Sequence, residues 1–455
     1  MEQATPQLPP AEHAQQVRIF VIAALVAAGI LMIILAFQAR ARQAEKIRTH
    51  STSQVNDFDR WMTMVPQFLH QHVNYVSDSF PTAPVTLMIF APFTTVSPPA
   101  AQFFWACCKY FFVIVIFAAC WRMTKNAGVT LSVTALLLIL AVWIWPVIID
   151  VQEGQTNLLM LLPLTTGLLV AQMEDRWYSP WLGGLLVSLA ICIKVTPLIF
   201  LVYFLYRRRW RLSLAIVLGI ACWLFIVPAL AFGWGQNMLW LRQWTNIMIV
   251  PYLKRGHIVY FVGQSVPSYL GRLLRHVPAF HWHDGARVTP VYINIVNLPG
   301  PVVDVLTRVV LGAIALAGAW WMRHKLPTLR SRRYLLEIGC VAAFMLWASE
   351  RTWVPHYVTL GITLFATAMV FSDPEEPFES QRRAMVALIA AAVLMFFTSD
   401  VAKIFGPNGG QIMRTVGVSL WAGVLLVVAN VRSRAGGNTT MIPPAPATTA
   451  EAAAS

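Results

Sequence analysis

The sequence predicts an all-α, polytopic integral membrane protein. Of the 455 residues, 57% are hydrophobic and 12% are charged, whereas an ordinary soluble domain carries about 25% charged residues. The hydrophobic residues form runs of about 20, the length that a helix needs to cross about 30 Å of hydrocarbon. Backbone groups cannot stay unpaired in lipid, so runs of this length indicate helices. The alternating segments of about ten residues that are typical of membrane barrels do not occur in the sequence.

The apolar runs predict a bundle of about twelve transmembrane helices. The first run, residues 19–38, is longer than the core of a signal peptide, which has about 7–15 residues, so we predict an uncleaved span. Eleven runs follow, near residues 103–121, 128–148, 156–172, 181–193, 195–206, 213–233, 301–321, 334–349, 356–372, 383–399 and 411–431. Residues 80–93 are apolar but short and rich in proline, and the sequence leaves open whether they cross, re-enter or lie on the interface.

Arginine and lysine residues in short loops orient the bundle, because cytoplasmic loops carry them in excess. With a cytoplasmic N-terminal segment, residues 1–18, and twelve spans, four dense basic clusters fall on the cytoplasmic side. These clusters are residues 207–209, 323–333, 382–383 and 432–434. The basic residues within 40–48 are an exception, because they fall on the external side. Two long external loops result, residues 39–102 and 234–300.

The composition also limits the class of function. The net charge of +14 is spread over short clusters between apolar runs, which topology and anionic lipid explain better than nucleic acid does. All six cysteines lie inside apolar runs without metal-like spacing, as small hydrophobic residues would. The tail, residues 434–455, is of low complexity, and we predict it to be disordered. The transmembrane domain, residues 19–433, therefore carries the function.

Polar residues of two segments are predicted to meet at the external face. Asp57 and Asp59 lie in the first long loop, where a carboxylate can act as a general base on a hydroxyl, or an acidic pair can hold a cation. The alternative is a pair of ordinary solvated acids. Gln155 and Asn157 lie at the start of the fourth span, where the free N–H groups of a helix N-terminus suit a phosphate. Simple capping by Thr156 or Asn157 is the alternative there.

Two further segments add cationic groups to the same face. Lys194 lies between two apolar runs with no acid nearby in sequence, so its ammonium needs either a lipid phosphate or access to the interface. Glu350, Arg351 and His356 share one short external turn. Arginine is suited to bidentate phosphate binding, and histidine exchanges a proton near neutral pH; an internal Glu350–Arg351 ion pair is the alternative. Residues 281–284, His-Trp-His-Asp, look metal-like, but neighbouring positions do not make a tetrahedral site.

Four motifs, in this order, resemble those of glycosyltransferase family 87. They are Asp-Phe at 57–58, Gly-Gln-x-Asn at 154–157, Lys-x-x-Pro at 194–197 and Trp-x-x-His at 353–356. The family contains integral membrane enzymes of the GT-C superfamily, including polyprenyl-phosphate-mannose-dependent α-mannosyltransferases of bacteria. The resemblance extends to about residue 372. Gln264-Ser265 keeps part of the family's Asn-Gln-Ser, whereas residues 80–84 depart from its aromatic-Pro-Pro.

The resemblance implies transfer of a hexose, such as mannose, from a polyprenyl-phosphate donor to a lipid or glycan acceptor. The reaction takes place at the outer face of the bacterial cytoplasmic membrane, with inversion at the anomeric carbon. The family's acid falls on Asp57 as the general base, and its late histidine falls on His356. The expected substrate-binding residues are Asp59, Gln155, Asn157, Lys194, Gln264 and Arg351. A lipid phosphate is a good leaving group, so no metal is required, although Asp57 and Asp59 could hold a divalent cation.

A transporter or flippase of lipid-linked precursors is the alternative function. Such a protein is expected to have two related halves, with broken helices that face each other at the middle of the membrane. The sequence shows no such repeat, and its candidate charges gather on one face. These features favour an enzyme.

Overall fold

The computed structural model describes residues 10–51, 53–71, 74–75, 80–251, 262–285 and 287–435. This part of the chain is helical apart from one two-stranded hairpin. The all-α prediction is therefore correct except for that hairpin. The predicted disordered tail lies outside the described residues from 436 onwards, as do residues 1–9 of the predicted N-terminal segment.

The first half of the chain contains eleven of the described helices, and most of the predicted apolar runs in this half coincide with one of them. In chain order they are α1 (Pro10–Arg48), α2 (Asp57–Gln71), α3 (Val85–Phe90), α4 (Pro98–Asn126), α5 (Val133–Gln152), α6 (Asn157–Ala171), α7 (Ser179–Ile193), α8 (Leu198–Tyr206), α9 (Trp210–Ala221), α10 (Val227–Phe232) and α11 (Trp234–Trp244). A π-helical turn, Cys222–Ile226, joins α9 to α10. Proline at position 228 has no N–H for the carbonyl of Leu224, and the side chain of Asn237 donates to that carbonyl instead at 2.9 Å.

The second half contains seven described helices and the hairpin. They are α12 (Val266–Leu274), β1 (Phe280–Asp284), β2 (Arg287–Val291), α13 (Gly300–Trp321), α14 (Arg332–Ala348), α15 (Leu360–Ser372), α16 (Phe378–Phe396), α17 (Gly409–Val416) and α18 (Val418–Val431). A 3-10 helix, Val354–Thr359, leads into α15. The strands are antiparallel, with Phe280 opposite Val291.

Six described helices are long and apolar enough to cross a membrane, or seven if the bent pair α17–α18 is one span. The count of about twelve spans is therefore not confirmed. Three of the predicted runs form shorter helices, since α6 and α7 have 15 residues each and α8 has nine. At 1.5 Å per residue, α8 covers only about 14 Å. The segment Val85–Thr95 is likewise a short apolar helix, too short to cross as a single helix.

The core of the bundle surrounds α15, which is buried along almost all of its length. This helix is apolar on all sides, as expected for a helix at the centre of a bundle. It packs closely against α14 at Gly339, where an added Cβ would lie 3.1 Å from the Cβ of Ala366. Thr363 donates to the carbonyl of Gly339 at 2.8 Å across the same contact. In contrast, α13 is mostly exposed, as expected for an apolar helix that faces lipid.

The loops predicted to be cytoplasmic contact one another at one end of the bundle, which we call the basic face. Ion pairs connect these loops: Arg207–Glu337, Arg209–Glu174, Arg330–Asp175 and Arg332–Asp373. Arg207 and Glu337 are nearly inaccessible, with 5% and 0% of their side chains exposed. The structure thus groups these loops as the arginine pattern predicts. Which side of the membrane the basic face occupies stays a prediction.

Candidate active site

A cavity of about 860 Å³ lies at the opposite end of the bundle from the basic face. The charged, histidine and amide side chains of its lining come from four separate segments of the chain: Asp57 and Arg60, Gln155, Lys194, and Glu350, Arg351 and His356. Apolar side chains, among them Ile199, Met248 and Phe344, form much of the remaining wall. Five of the eight site residues proposed from the sequence therefore line one cavity.

Asp57 begins α2, and neighbouring groups hold its carboxylate at the cavity wall. Its backbone N–H donates to the carbonyl of Glu153 at 3.0 Å. One carboxylate oxygen accepts a hydrogen bond from the side chain of Gln155, and the other is paired with the guanidinium of Arg60 at 3.1 Å. Each carboxylate oxygen can accept more than one hydrogen bond. The carboxylate is therefore oriented and still able to accept the proton of a substrate hydroxyl.

Gly154 allows the start of α6 to approach the start of α2 closely. Its φ of +66° lies in the left-handed region, and an added Cβ would lie 2.8 Å from both the backbone N and the Cβ of Phe58. Only glycine fits such a position without strain. The ring of Phe58 stacks on Trp105 with the centroids 5.1 Å apart, and the indole N–H of Trp105 donates to the carbonyl of Gly154 at 3.3 Å. This packing brings Gln155 to the carboxylate of Asp57.

Asp59 has a different environment from Asp57 and does not line the cavity. Its carboxylate accepts from the ammonium of Lys46 at 2.6 Å and from Gln43 at 2.9 Å, and only 4% of the residue is exposed. Residues two apart on a helix lie about 200° apart around its axis, so the two acids face different ways. The Lys46–Asp59 ion pair also gives a reason for the position of Lys46, which the topology predicted from arginine and lysine residues places on the external side. No group of three or more His, Cys, Asp or Glu in the described residues is placed to hold a metal ion.

Lys194 follows α7 in extended conformation, with φ −149° and ψ 126°, and Pro197 is the residue that precedes α8. Its ammonium donates to the side-chain oxygen of Asn157 at 2.5 Å. Within the described ranges Lys194 makes no ion pair. Burial lowers the pKa of Lys194 to about 8, against the opposing fields of Asp150 and Asp57. A cation without a carboxylate partner thus faces the cavity.

Asn157 connects Lys194 to a buried ion pair that the motifs did not indicate. Its side-chain N–H donates to one oxygen of Asp150 at 2.9 Å, and the other oxygen is paired with Lys109 at 2.8 Å, with both side chains fully buried. Asn157 itself does not line the cavity. The capping alternative fails here, because the side chain of Thr156, the residue before α6, makes no capping hydrogen bond. The sequence did contain a signal for this ion pair, because Lys109 lies inside one apolar run and Asp150 lies at the end of another.

Gln264, which does not line the cavity, holds the segment that contains His356 through hydrogen bonds to the backbone and to Tyr357. The imidazole Nδ1 of His356 accepts the backbone N–H of Trp353 at 3.4 Å, which leaves the proton of a neutral ring on Nε2. The backbone N–H of Gln264 donates to the carbonyl of Thr352 at 2.6 Å, and Tyr357 donates to the carbonyl of Gln264 at 2.7 Å. Gln264 is fully buried and does not line the cavity. The structure gives it a supporting position rather than direct access to a substrate.

The sequence is similar to known membrane glycosyltransferases over part of its length. The family model described as "Glycosyltransferase family 87" matches residues 83–349. The polyprenol-phosphate-mannose-dependent alpha-(1-2)-phosphatidylinositol mannoside mannosyltransferase of Mycobacterium tuberculosis is 25% identical over 231 residues, which are 48% of this chain and 42% of that protein. The protein of the same name from Mycolicibacterium smegmatis is 25% identical over 234 residues, 50% of this chain and 45% of that protein. The chain thus matches less than half the length of these curated relatives.

A solved structure also aligns with most of the chain. The crystal structure of ArnT from Cupriavidus metallidurans bound to undecaprenyl phosphate covers 90% of this chain, and the match includes 78% of that protein. The sequence identity is 16% and the TM-score is 0.42, which is too low to establish a common fold.

The family match leaves out four of the eight proposed site residues, since Asp57 and Asp59 precede residues 83–349 and Arg351 and His356 follow them. It includes the start of α6, Lys194 and Gln264. The matched segment covers more than half of the 455 residues of a helical chain with several candidate membrane spans. This chain belongs to glycosyltransferase family 87.

Proposed function

We propose that this protein is a membrane glycosyltransferase that moves a hexose, such as mannose, from a polyprenyl-phosphate donor to a lipid or glycan acceptor. One observation carries the proposal. The carboxylate of Asp57, which Gln155 and Arg60 hold in position, lines the same cavity as Lys194, Arg351 and His356, whose side chains can donate hydrogen bonds to a phosphate. Membership of the family supports it. The names of the mycobacterial relatives, which specify polyprenol-phosphate-mannose dependence, favour this class of donor.

The donor phosphate is proposed to lie between Lys194, Arg351 and His356. Lysine and arginine donate charge-assisted hydrogen bonds to phosphate, and the neutral imidazole of His356 can donate a further one from Nε2. Val195 and Leu198 follow Lys194 in the same wall and are 38% and 39% exposed. An apolar, partly exposed wall beside a cationic group suits a lipid phosphate, whose hydrocarbon chain needs an apolar surface.

Asp57 is proposed to act as the general base. It takes the proton of the acceptor hydroxyl while the hydroxyl oxygen attacks the anomeric carbon from the side opposite to the phosphate. The new bond joins the acceptor oxygen to this carbon, the bond from the carbon to the phosphate oxygen breaks, and polyprenyl phosphate leaves. Lys194, Arg351 and His356 stabilise the charge that develops on the phosphate. The configuration is inverted, and this scheme requires no metal ion.

The cavity is proposed to open to the external side of the cell membrane. The basic face contains the arginine clusters that are typical of cytoplasmic loops, and the cavity lies at the other end of the bundle. The donor and the acceptor would then both reach it from the outer leaflet. Asp57, Gln155 and His356 all lie at this end.

Transfer by the purified protein tests this function. We expect that protein in lipid vesicles, given polyprenyl phosphate with radiolabelled mannose and a membrane lipid extract, moves the label to a new glycolipid and releases polyprenyl phosphate. Protein with Asp57→Asn is the control for a contaminating enzyme. Recovery of intact donor in the opposite leaflet, with no labelled product, would instead support a flippase and contradict the proposal.

A further inference from the structure

Three tryptophans among the described residues line the cavity, and they differ in how much of their surface is accessible. Trp61 and Trp244 are buried, with 2% and 7% of each residue exposed. The indole N–H of Trp244 donates to the carbonyl of Pro81 at 2.9 Å. Trp353 is instead partly exposed. It therefore presents an aromatic surface that a ligand in the cavity can contact, whereas the other two rings are packed against the protein.

The backbone around Trp353 directs its side chain away from the core. Trp353 is in extended conformation, with φ −132° and ψ −177°, and successive side chains of an extended segment point to opposite sides. The residues before and after it, Thr352 and Val354, are buried, with 1% and 3% exposed. The carbonyl of Thr352 accepts the backbone N–H of Gln264 at 2.6 Å. The segment is thus held with the indole ring of Trp353 toward the cavity.

The indole ring of Trp353 lies beside the imidazole of His356. The two ring centroids are 6.3 Å apart, with an angle of 46° between the planes. The backbone N–H of Trp353 also donates to Nδ1 of this imidazole at 3.4 Å. Arg351, two residues before Trp353, lines the same cavity. The accessible aromatic surface is therefore next to two of the groups that are proposed to bind the donor phosphate.

An aromatic ring next to a phosphate site suits a sugar. The face of an indole ring carries partial negative charge. The C–H groups of a pyranose are polarised by the neighbouring oxygen atoms, so an apolar face of the sugar is weakly positive and packs on such a ring. Within the described ranges the indole N–H of Trp353 makes no hydrogen bond, so it can donate to a sugar hydroxyl. The hydrocarbon chain of a lipid would use neither feature.

We infer that Trp353 forms the subsite for the hexose of the donor, with the sugar stacked on the indole ring. The hexose is bonded directly to the donor phosphate, so it must lie beside the phosphate ligands. It must also lie between the phosphate and Asp57, because the acceptor attacks from the side opposite to the phosphate. This inference rests on the proposed function and adds to it a residue that recognises the sugar rather than the phosphate or the lipid.

The affinities for two ligands separate recognition of the sugar from recognition of the phosphate. The probes are polyprenyl phosphate and polyprenyl phosphate with mannose attached, each titrated into the purified protein in detergent without an acceptor. We expect the wild type to bind the mannose-bearing ligand more tightly. Trp353→Leu should weaken binding of that ligand at least about fivefold, as expected for loss of an aromatic contact, and leave the affinity for polyprenyl phosphate unchanged. Trp353→Phe keeps an aromatic ring and should retain part of the difference.

Two other variants are the controls. Trp177→Leu makes the same change at a tryptophan that is 83% exposed, in the loop that contains Asp175, and it should bind both ligands as the wild type does. Lys194→Met removes a proposed phosphate ligand, so it should weaken binding of both ligands by the same factor. The melting temperature of each variant shows whether it is folded, and Trp353→Met replaces Trp353→Leu if the latter does not fold.

Each other outcome has a definite meaning. Equal loss of affinity for both ligands in Trp353→Leu would overturn the inference, because Trp353 would then contact the phosphate or the lipid. No loss for either ligand would also overturn it and leave Trp353 as a residue of the membrane interface. Affinity of Trp353→Phe as low as that of Trp353→Leu would contradict stacking on the ring. Wild-type protein that binds both ligands equally would contradict the inference alone, whereas wild-type protein that binds neither would contradict the proposed function.

Discussion

Replacement of Asp57 by Asn is expected to lower turnover by about 10²–10⁴-fold, the usual contribution of general acid–base catalysis. An amide has nearly the shape of a carboxylate and can still contact Gln155 or Arg60, but it cannot take a proton from the acceptor hydroxyl. Donor affinity should change little, because the proposed phosphate ligands are on other segments. The measurement is the initial rate of sugar transfer, with donor and acceptor near saturation, together with the affinity for polyprenyl phosphate.

Variants of two other acidic residues are the controls, because they distinguish loss of catalysis from loss of a charge or of stability. Glu45→Gln removes an exposed acid that pairs with Arg48 at the end of α1, and it should leave turnover unchanged. Asp59→Asn removes the buried partner of Lys46. It should therefore lower the free energy of unfolding, while the turnover number of the molecules that remain folded changes little. Full activity of Asp57→Asn, with loss of turnover only in Asp59→Asn, would mean that Asp59 is the base.

Separate replacement of either member of the Lys109–Asp150 pair is expected to destabilise the fold by about 3–5 kcal/mol, because the remaining charge is buried without its partner. Both side chains are fully inaccessible, and Lys109 also donates to the backbone carbonyl of Asp150 at 2.5 Å. In Asp150→Asn, Asn157 loses a charged acceptor, so the position of Lys194 should also loosen. Stability is measured as the free energy of unfolding in detergent.

The double change of Lys109→Met and Asp150→Asn is the internal control. With both charges removed, no uncompensated ion stays in the core, so the double variant should be more stable than either single variant. Destabilisation that simply adds across the two sites would show that the two charges do not interact. Single variants as stable as the wild type would contradict the burial of the pair.

The sequence predicted which segments meet at the cavity, because the alternation of apolar runs with polar, charged loops indicates which loops share an end of the bundle. Four short motifs around Asp57, Gln155, Lys194 and His356 were placed on one face in this way, and the structure brings them to a single cavity. The count of about twelve spans is not confirmed, since six or seven candidate spans occur among the described residues. Apolar composition does not show where a helix breaks, and α8 has only nine residues although its run was counted as a span.

The sequence did not show in which direction the side chains of these segments point. The segment after residue 56 was interpreted as a loop, in which Asp57 and Asp59 could act together. In the structure it is a helix, so Asp59 points away and Arg60, three residues after Asp57, shares its face. In the structure Gln264 lies beside the segment that contains His356, but the sequence could not show that it binds backbone groups.

The affinity for polyprenyl phosphate without a sugar tests most directly whether this cavity holds the donor phosphate. We expect Lys194→Met to weaken binding at least about tenfold, since it removes a charged hydrogen-bond donor. Lys125→Met makes the same change at an exposed lysine at the far end of α4, away from the cavity, and should bind as the wild type does. Equal affinity of the wild type and both variants would contradict the phosphate role of Lys194 and leave it as an interface anchor.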